Sequence, residues 1–144
     1  MENKILVVED ALEYHKLIQV SLGYKYQIDF ASTITEARQF VANNSYQLIL
    51  LDVVLPDGTG FELCSEIRAE AKNQDLPIIF LTGKTSTSDK VLGFSIGADD
   101  YVVKPFDTAE LMARVDLRIL KSLKKKHFEE NFKKGPLRFD LSGL

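Results

Sequence analysis

Four short apolar runs, ILVV, LILL, IIFL and YVV, are each followed directly by residues that can do chemistry: Glu9 and Asp10, Asp52, Thr82, and Lys104. Continuous rather than alternating apolar runs are strands buried on both faces, and such strands deliver the residues after them to one edge of a sheet. Three carboxylates gathered there repel one another and raise one another's pKa values unless a cation neutralises them. An all-oxygen, partly solvated donor set suits Mg²⁺, and one bound magnesium is expected. A lone ammonium and a lone hydroxyl facing that cluster suit a phosphoryl group, because both can bind its transferring oxygens. Asp52 is then the nucleophile, which would become an aspartyl phosphate. Taken singly, each residue has a plainer reading: Asp52 and Asp10 as caps, Thr82 as a strand end, Lys104 as a surface charge. Their joint placement is what favours chemistry.

The elements that must position these groups alternate along the chain. Lys4 to Val8 reads as a first strand. A helix follows with Tyr14, Leu17, Ile18 and Leu22 on one stripe, capped by Asp10 with Glu13 three positions on, and stopped by Gly23. Tyr26, Ile28 and Phe30 alternate with polar residues, as in a strand at a sheet edge. Thr33 and Glu36 form a capping-box pattern for a helix bearing Ile34, Ala37 and Val41. Leu48 to Leu51 lead to Asp52, and after a Pro56-Asp57-Gly58 turn Phe61, Cys64, Ile67 and Ala71 mark the third helix. Pro77 introduces a strand over Ile78 to Leu81. The polar loop after Thr82-Gly83 enters a fourth helix ending near Ile96, with Gly97 closing it. Tyr101 to Val103 form the fifth strand. Asp107 with Glu110 cap a long last helix carrying Leu111, Val115, Ile119 and Leu123.

Five strands alternating with five helices demand an α/β, doubly wound parallel sheet covered on both faces, with right-handed crossovers. In the flavodoxin-like order 2-1-3-4-5, the first and third strands are neighbours across the switch point, where ligands bind beyond the carboxyl ends of the strands.

At 144 residues, 45% hydrophobic and 27% charged with a net charge of −3, the chain fits one compact domain plus a tail, with no global field for nucleic acid. The single cysteine, Cys64, has no disulfide or zinc partner and reads as packing. The amino terminus does not have the pattern of a signal peptide, and no apolar run approaches a membrane span, so a cytoplasmic location without membrane contact is expected.

The runs VVEDALEYHKLIQVSL and LLDVVLPDGTGFELC, the LTG triplet and the run GADDYVVKPFDTAELMARV resemble the response-regulator receiver domain of bacterial two-component systems, a CheY-like fold, from Lys4 to about Leu120. The resemblance implies that Asp52 accepts a phosphoryl group from a sensor histidine kinase. It also implies that Asp10, Asp52 and the backbone carbonyl of Val54 ligate Mg²⁺, with Glu9 acting through water. Thr82 and Tyr101 correspond to the family's switch pair, Lys104 to its phosphate-binding lysine, and Lys104-Pro105 to a bond that is commonly cis there. The protein is then a phosphoacceptor switch that assists its own phosphorylation and dephosphorylation, and not an enzyme with a turned-over substrate. Glu9 departs from the more usual aspartate; Val54 and Lys84 occupy positions that tune phosphate lifetime, and Gly83 leaves the site open.

Lys90, Asp99, Asp100, Glu110, Arg114 and Arg118, around apolar Val91, Phe94 and Ala113, resemble the dimer face of OmpR/PhoB-type regulators, formed by the fourth helix, fifth strand and fifth helix. A two-fold interface needs both charge signs on one patch, as here. Residues 1–122 are assigned to the receiver and 123–144 to a linker. The final GPLRFDLSGL resembles the first strand of the winged-helix domain that follows in those transcription factors, so DNA contact would come through a domain outside this chain. A stand-alone receiver acting by protein contact is the other reading. A haloacid-dehalogenase-type phosphohydrolase would want an acid where Val54 stands, and a flavodoxin-like cofactor domain would want a phosphate loop where Glu9-Asp10 stand.

Overall fold

The computed structural model describes residues 3–83, 92 and 95–134. Seven strands and four α-helices are placed among them: β1 (Lys4–Val8), α1 (Leu12–Leu22), β2 (Gln27–Ala31), α2 (Ile34–Asn43), β3 (Leu48–Asp52), β4 (Val54–Leu55), β5 (Gly58–Thr59), α3 (Gly60–Ala69), β6 (Ile78–Thr82), β7 (Asp100–Val103) and α4 (Thr108–Lys134). The main sheet is parallel throughout, in the order β2-β1-β3-β6-β7. Numbering only its own five strands, that is the expected 2-1-3-4-5; β4 and β5 form a separate two-stranded ribbon around Pro56-Asp57. Of the fourth expected helix only Leu92, Ser95 and Ile96 are described, and all three are helical.

The uninterrupted apolar runs are explained by a covered sheet. Because side chains alternate across a strand, Leu6, Val8, Ile49, Leu51, Ile78 and Phe80 face α2 and α3, meeting Ile34, Ala37, Leu63, Cys64 and Ile67. Ile5, Val7, Leu48, Leu50, Ile79, Leu81 and Val102 face α1 and α4, meeting Ile18, Leu22, Leu111, Val115 and Ile119. Each fully buried aliphatic side chain contributes about 1.5–3 kcal/mol. Strand β2 lies at an edge and is the wettest of the sheet strands over its first four residues.

Several helix ends differ from expectation. Asp10 does not cap α1: the N-cap is Ala11, with no side-chain cap bond, and the Ala11 N–H is instead taken by Glu9 Oε2 at 3.0 Å. Asp10 is left exposed at the sheet edge. Thr33 caps α2 by accepting from Glu36 N, but the Glu36 carboxylate reaches one residue further back, to Ser32 N. The rest of that helix start is held by Asp57, which accepts from the N–H groups of Ile34 and Thr35 and from the Thr35 hydroxyl; these bonds hold its carboxyl below the usual range. The complete capping box belongs to α3, between Thr59 and Glu62. Ala71 lies beyond α3 in a 3-10 turn and is exposed, while Leu63 joins Cys64 and Ile67 as a buried residue of α3. Asp107 Oδ1 accepts from Ala109 N at the start of α4, as expected. Leu123 is exposed on α4 and does not join the core.

Candidate functional site

Each reactive side chain is fixed by an extension of the sheet ladder. Glu9 N donates to Ala31 O, carrying the β1–β2 pairing one residue past β1. Asp52 is the last residue of β3, opposite Leu81 of β6, and Val53 N donates to Leu81 O. Thr82 ends β6 opposite Val103, and Lys104 N donates to the Thr82 carbonyl at 2.8 Å. The sheet therefore brings Glu9, Asp10, Asp52, Thr82 and Lys104 to one edge, as their positions after apolar runs predicted. The Lys104-Pro105 bond is cis.

Lys104 Nζ lies 2.8 Å from Asp52 Oδ2 and also forms an ion pair with Glu9 Oε1. Its side chain is 14% exposed, and Glu9 and Asp52 are 0% and 6% exposed. Burial pulls the ammonium's pKa down, yet the two carboxylates outweigh it and the net direction is up, so Lys104 is held charged. Glu9 moves the other way: burial raises its carboxyl above the usual range, Asp52 adds to that, and Lys104 and the Ala11 N–H only partly offset it. Asp52 Oδ1 accepts from Val54 N at 3.2 Å. Thr82 is 1% exposed.

Ligand oxygens of Glu9, Asp10 and Asp52 lie within 4.8 Å of one another. Three carboxylates, two buried and Asp10 exposed, face one ammonium here, an excess of negative charge that a cation would neutralise. Glu9 Oε1, although paired ionically with Lys104, receives no directed hydrogen bond. The all-oxygen donor set fits a hard divalent cation such as Mg²⁺. The longer arm of Glu9 is what lets it reach Lys104 while its other oxygen holds Ala11.

Tyr101, the expected switch residue, is buried at 8% exposure in the cluster on the α2–α3 side, its ring 5.4 Å from that of Phe80. Among the described residues, the expected dimer-face charges are engaged within the chain. Arg114 pairs with Asp100 at 2.8 Å and Glu110 at 3.0 Å, Arg118 lies 3.7 Å from Asp100, and Asp99 is held by Arg68 and Ile78 N. Ala113 is exposed on the same helix. Lys84, Lys90, Val91, Phe94 and the GPLRFDLSGL tail lie outside the described residues.

Two contributors went unnoticed in the sequence. Gly60, the first residue of α3, donates its N–H to Val53 O and packs against the Asp52 backbone so closely that a Cβ would meet Asp52 O at 2.1 Å; a glycine where helices rarely favour one was the available signal. Tyr14, read only as part of the α1 stripe, places its ring 4.4 Å from Lys104 Nζ, and no spacing rule links those two positions.

A model described as the response regulator receiver domain matches residues 5–116. The chain is 44% identical over 113 residues to the response regulator ArlR of Staphylococcus saprophyticus, covering 78% of this chain and 50% of that protein. It is 40% identical over 120 residues to the transcriptional regulatory protein DltR of Streptococcus agalactiae, covering 83% and 53%. The chain thus spans about half the length of these curated relatives. A crystal structure of a putative response regulator from Chloroflexus aurantiacus superposes with a TM-score of 0.78 at 32% identity, covering 83% of this chain and 99% of that one.

Proposed function

The chain belongs to the response regulator receiver domain family of two-component systems, and from that premise we propose that Asp52 is the phosphoacceptor of a reversible switch. The observation that carries this reading is the 2.8 Å contact of Lys104 Nζ with Asp52 Oδ2 inside a cluster of three carboxylates. A carboxylate oxygen of Asp52 attacks the phosphorus of a phosphohistidine on the partner kinase. The O–P bond forms as the N–P bond breaks, and the imidazole nitrogen leaves with the electron pair. Lys104, already charged and hydrogen-bonded to the acceptor, transfers its contact to the phosphoryl oxygens, and the Thr82 hydroxyl donates to another. Asp10, Asp52 and the Val54 carbonyl would hold Mg²⁺, with Glu9 acting through water; the bound ion would neutralise charge on the phosphoryl group and the acids. Val54 itself is exposed and supplies no acid for a hydrolase.

Phosphorylation adds charge beside Thr82 and biases the Thr82–Tyr101 pair. The Tyr101 ring packs on Phe80, and the phosphoryl group would act by shifting the population of that packing. The readout is a changed face on β7 and α4 that favours a homodimer, with DNA contacted through a domain outside this chain; the name of the relative DltR, a transcriptional regulatory protein, supports a transcriptional output.

The test is intact mass after incubation with Mg²⁺ and a small acyl phosphate, with and without a chelator, for the wild type and Asp52→Asn. The wild type gains one phosphoryl group only when Mg²⁺ is present, and the variant gains none. Equal labelling of the two proteins would overturn the assignment.

A further inference from the structure

We propose that Tyr14 is a positioning residue for phosphoryl transfer, holding the Lys104 ammonium at the acceptor through the face of its ring; this deepens the reading of Asp52 as phosphoacceptor and rests on it. The Tyr14 ring centroid is 4.4 Å from Lys104 Nζ, well inside the roughly 6 Å reach of a cation–π contact. Tyr14 is half-buried on the first turn of α1, and its ring is braced by Phe106, two residues past Lys104, at 5.5 Å between centroids. Lys104 is thus bounded on one side by Asp52 and Glu9 and on another by an aromatic face.

The consequence lies in how the lysine must move. Before transfer its ammonium is committed to two carboxylates; during transfer it must turn toward the phosphoryl oxygens. A four-carbon stem has many rotamers. The ring offers the ammonium a contact that does not compete for its three N–H donors, because the quadrupole attracts the charge and not a particular proton. Tyr14 therefore keeps Lys104 over the site while its hydrogen bonds are exchanged, and the catalytic benefit is orientation already in place before the donor arrives.

The experiment compares wild type, Tyr14→Phe and Tyr14→Leu, with Tyr14→Met replacing the leucine variant if the latter does not melt cooperatively. The first readout is the rate of phosphorylation by a small acyl phosphate, chosen because it needs no partner protein. A cation–π contact of this kind makes the aliphatic variant roughly 2- to 30-fold slower, while Tyr14→Phe, which keeps the ring and loses the hydroxyl, stays near wild type. The second readout needs no phosphate: the ¹⁵Nζ signal of the Lys104 ammonium in the metal-free protein, whose hydrogen exchange is several-fold faster in the aliphatic variant and unchanged in Tyr14→Phe. An aliphatic variant matching wild type in both readouts, or a Tyr14→Phe variant as impaired as the aliphatic one, overturns the proposal. If the wild type gains no phosphoryl group at all, the phosphoacceptor reading fails, and the exchange measurement alone still decides whether Tyr14 holds the lysine.

Discussion

The carbonyl oxygen of Asp52 stands 2.1 Å from the place a Cβ would occupy on Gly60, so the first turn of α3 rests directly on the backbone of the acceptor. Only a residue without a side chain permits that approach, and the Gly60 N–H to Val53 O bond locks it. Gly83 is the contrast: a Cβ built there meets no atom within 4 Å.

Gly60→Ala should therefore destabilise the fold by about 1–3 kcal/mol, the usual cost of forcing extra volume into a packed site, and slow phosphorylation because the carboxylate is carried with its backbone. Gly83→Ala should leave the unfolding free energy within about 0.5 kcal/mol of wild type. Equilibrium urea denaturation of both variants checks this. A Gly60→Ala variant as stable as Gly83→Ala would show that the contact is not limiting.

Lys104 has a structural duty separate from chemistry, because Glu9 is wholly buried and has Lys104 as its ion-pair partner. Removing one member of a buried pair leaves an uncompensated charge, at a cost of about 3 kcal/mol or more. Lys104→Met is expected to lose about that much in the absence of metal. Adding Glu9→Gln to it should recover more than half, since a neutral amide needs no counter-charge. The double-mutant cycle by urea denaturation measures the coupling directly; additive effects would refute it.

Cys64 bears out its assignment to packing: it lies on the buried face of α3, in the core. Burial, helped by Asp99 and opposed by Arg68, pushes its thiol up to about 11 from an ordinary 9.0. A raised folded-state value means the neutral thiol is favoured by the fold. Its contribution is complete below about 9 and is lost as pH rises toward about 11, by at most on the order of 3 kcal/mol. The stability advantage of wild type over Cys64→Ala should accordingly shrink across that window. Native protein should also resist a thiol reagent near neutral pH and react once unfolded; rapid native labelling would contradict the buried placement.

Much of this was legible in the chain because strand burial leaves a coarse mark. Runs such as LILL and IIFL have no polar alternation only if both faces are covered, which fixes a parallel sheet and the edge to which Asp52 and Thr82 are delivered. Contacts that depend on distances between elements left no such mark. Asp57 capping α2 across 23 residues, Arg68 bonding to Gly97, Asn73 and Leu76 carbonyls, and Tyr14 facing Lys104 all require the fold before the residues can be seen as neighbours. Local pattern lets Asp10 cap a helix as well as bind a metal, but α1 starts one residue later with Ala11 at its N-cap, which leaves the acid exposed at the site.

Among the described residues, the ion pairs on the β7–α4 face lie within one chain. Asp100 is shared by Arg114 and Arg118, and Glu110 also pairs with Arg114. A two-fold dimer built on this patch must exchange these pairs for equivalents across the axis. The exchange costs least for the solvent-open Arg114–Glu110 pair, because exposed ion pairs contribute only about 0–1 kcal/mol each, and more for the pairs of the largely buried Asp100. The net gain has to come from burying apolar surface, and Leu117 and Leu120 stand exposed on the same helix. With Mg²⁺ and beryllofluoride as a phosphoryl mimic, light scattering at concentrations well above micromolar should report about twice the monomer mass. Leu117→Asp should hold the protein monomeric while leaving phosphorylation by a small acyl phosphate intact. Added salt should weaken association only modestly, since ion pairs are exchanged and not newly made. A mass unchanged by the mimic would remove dimerisation from the switch and leave the stand-alone receiver as the better reading.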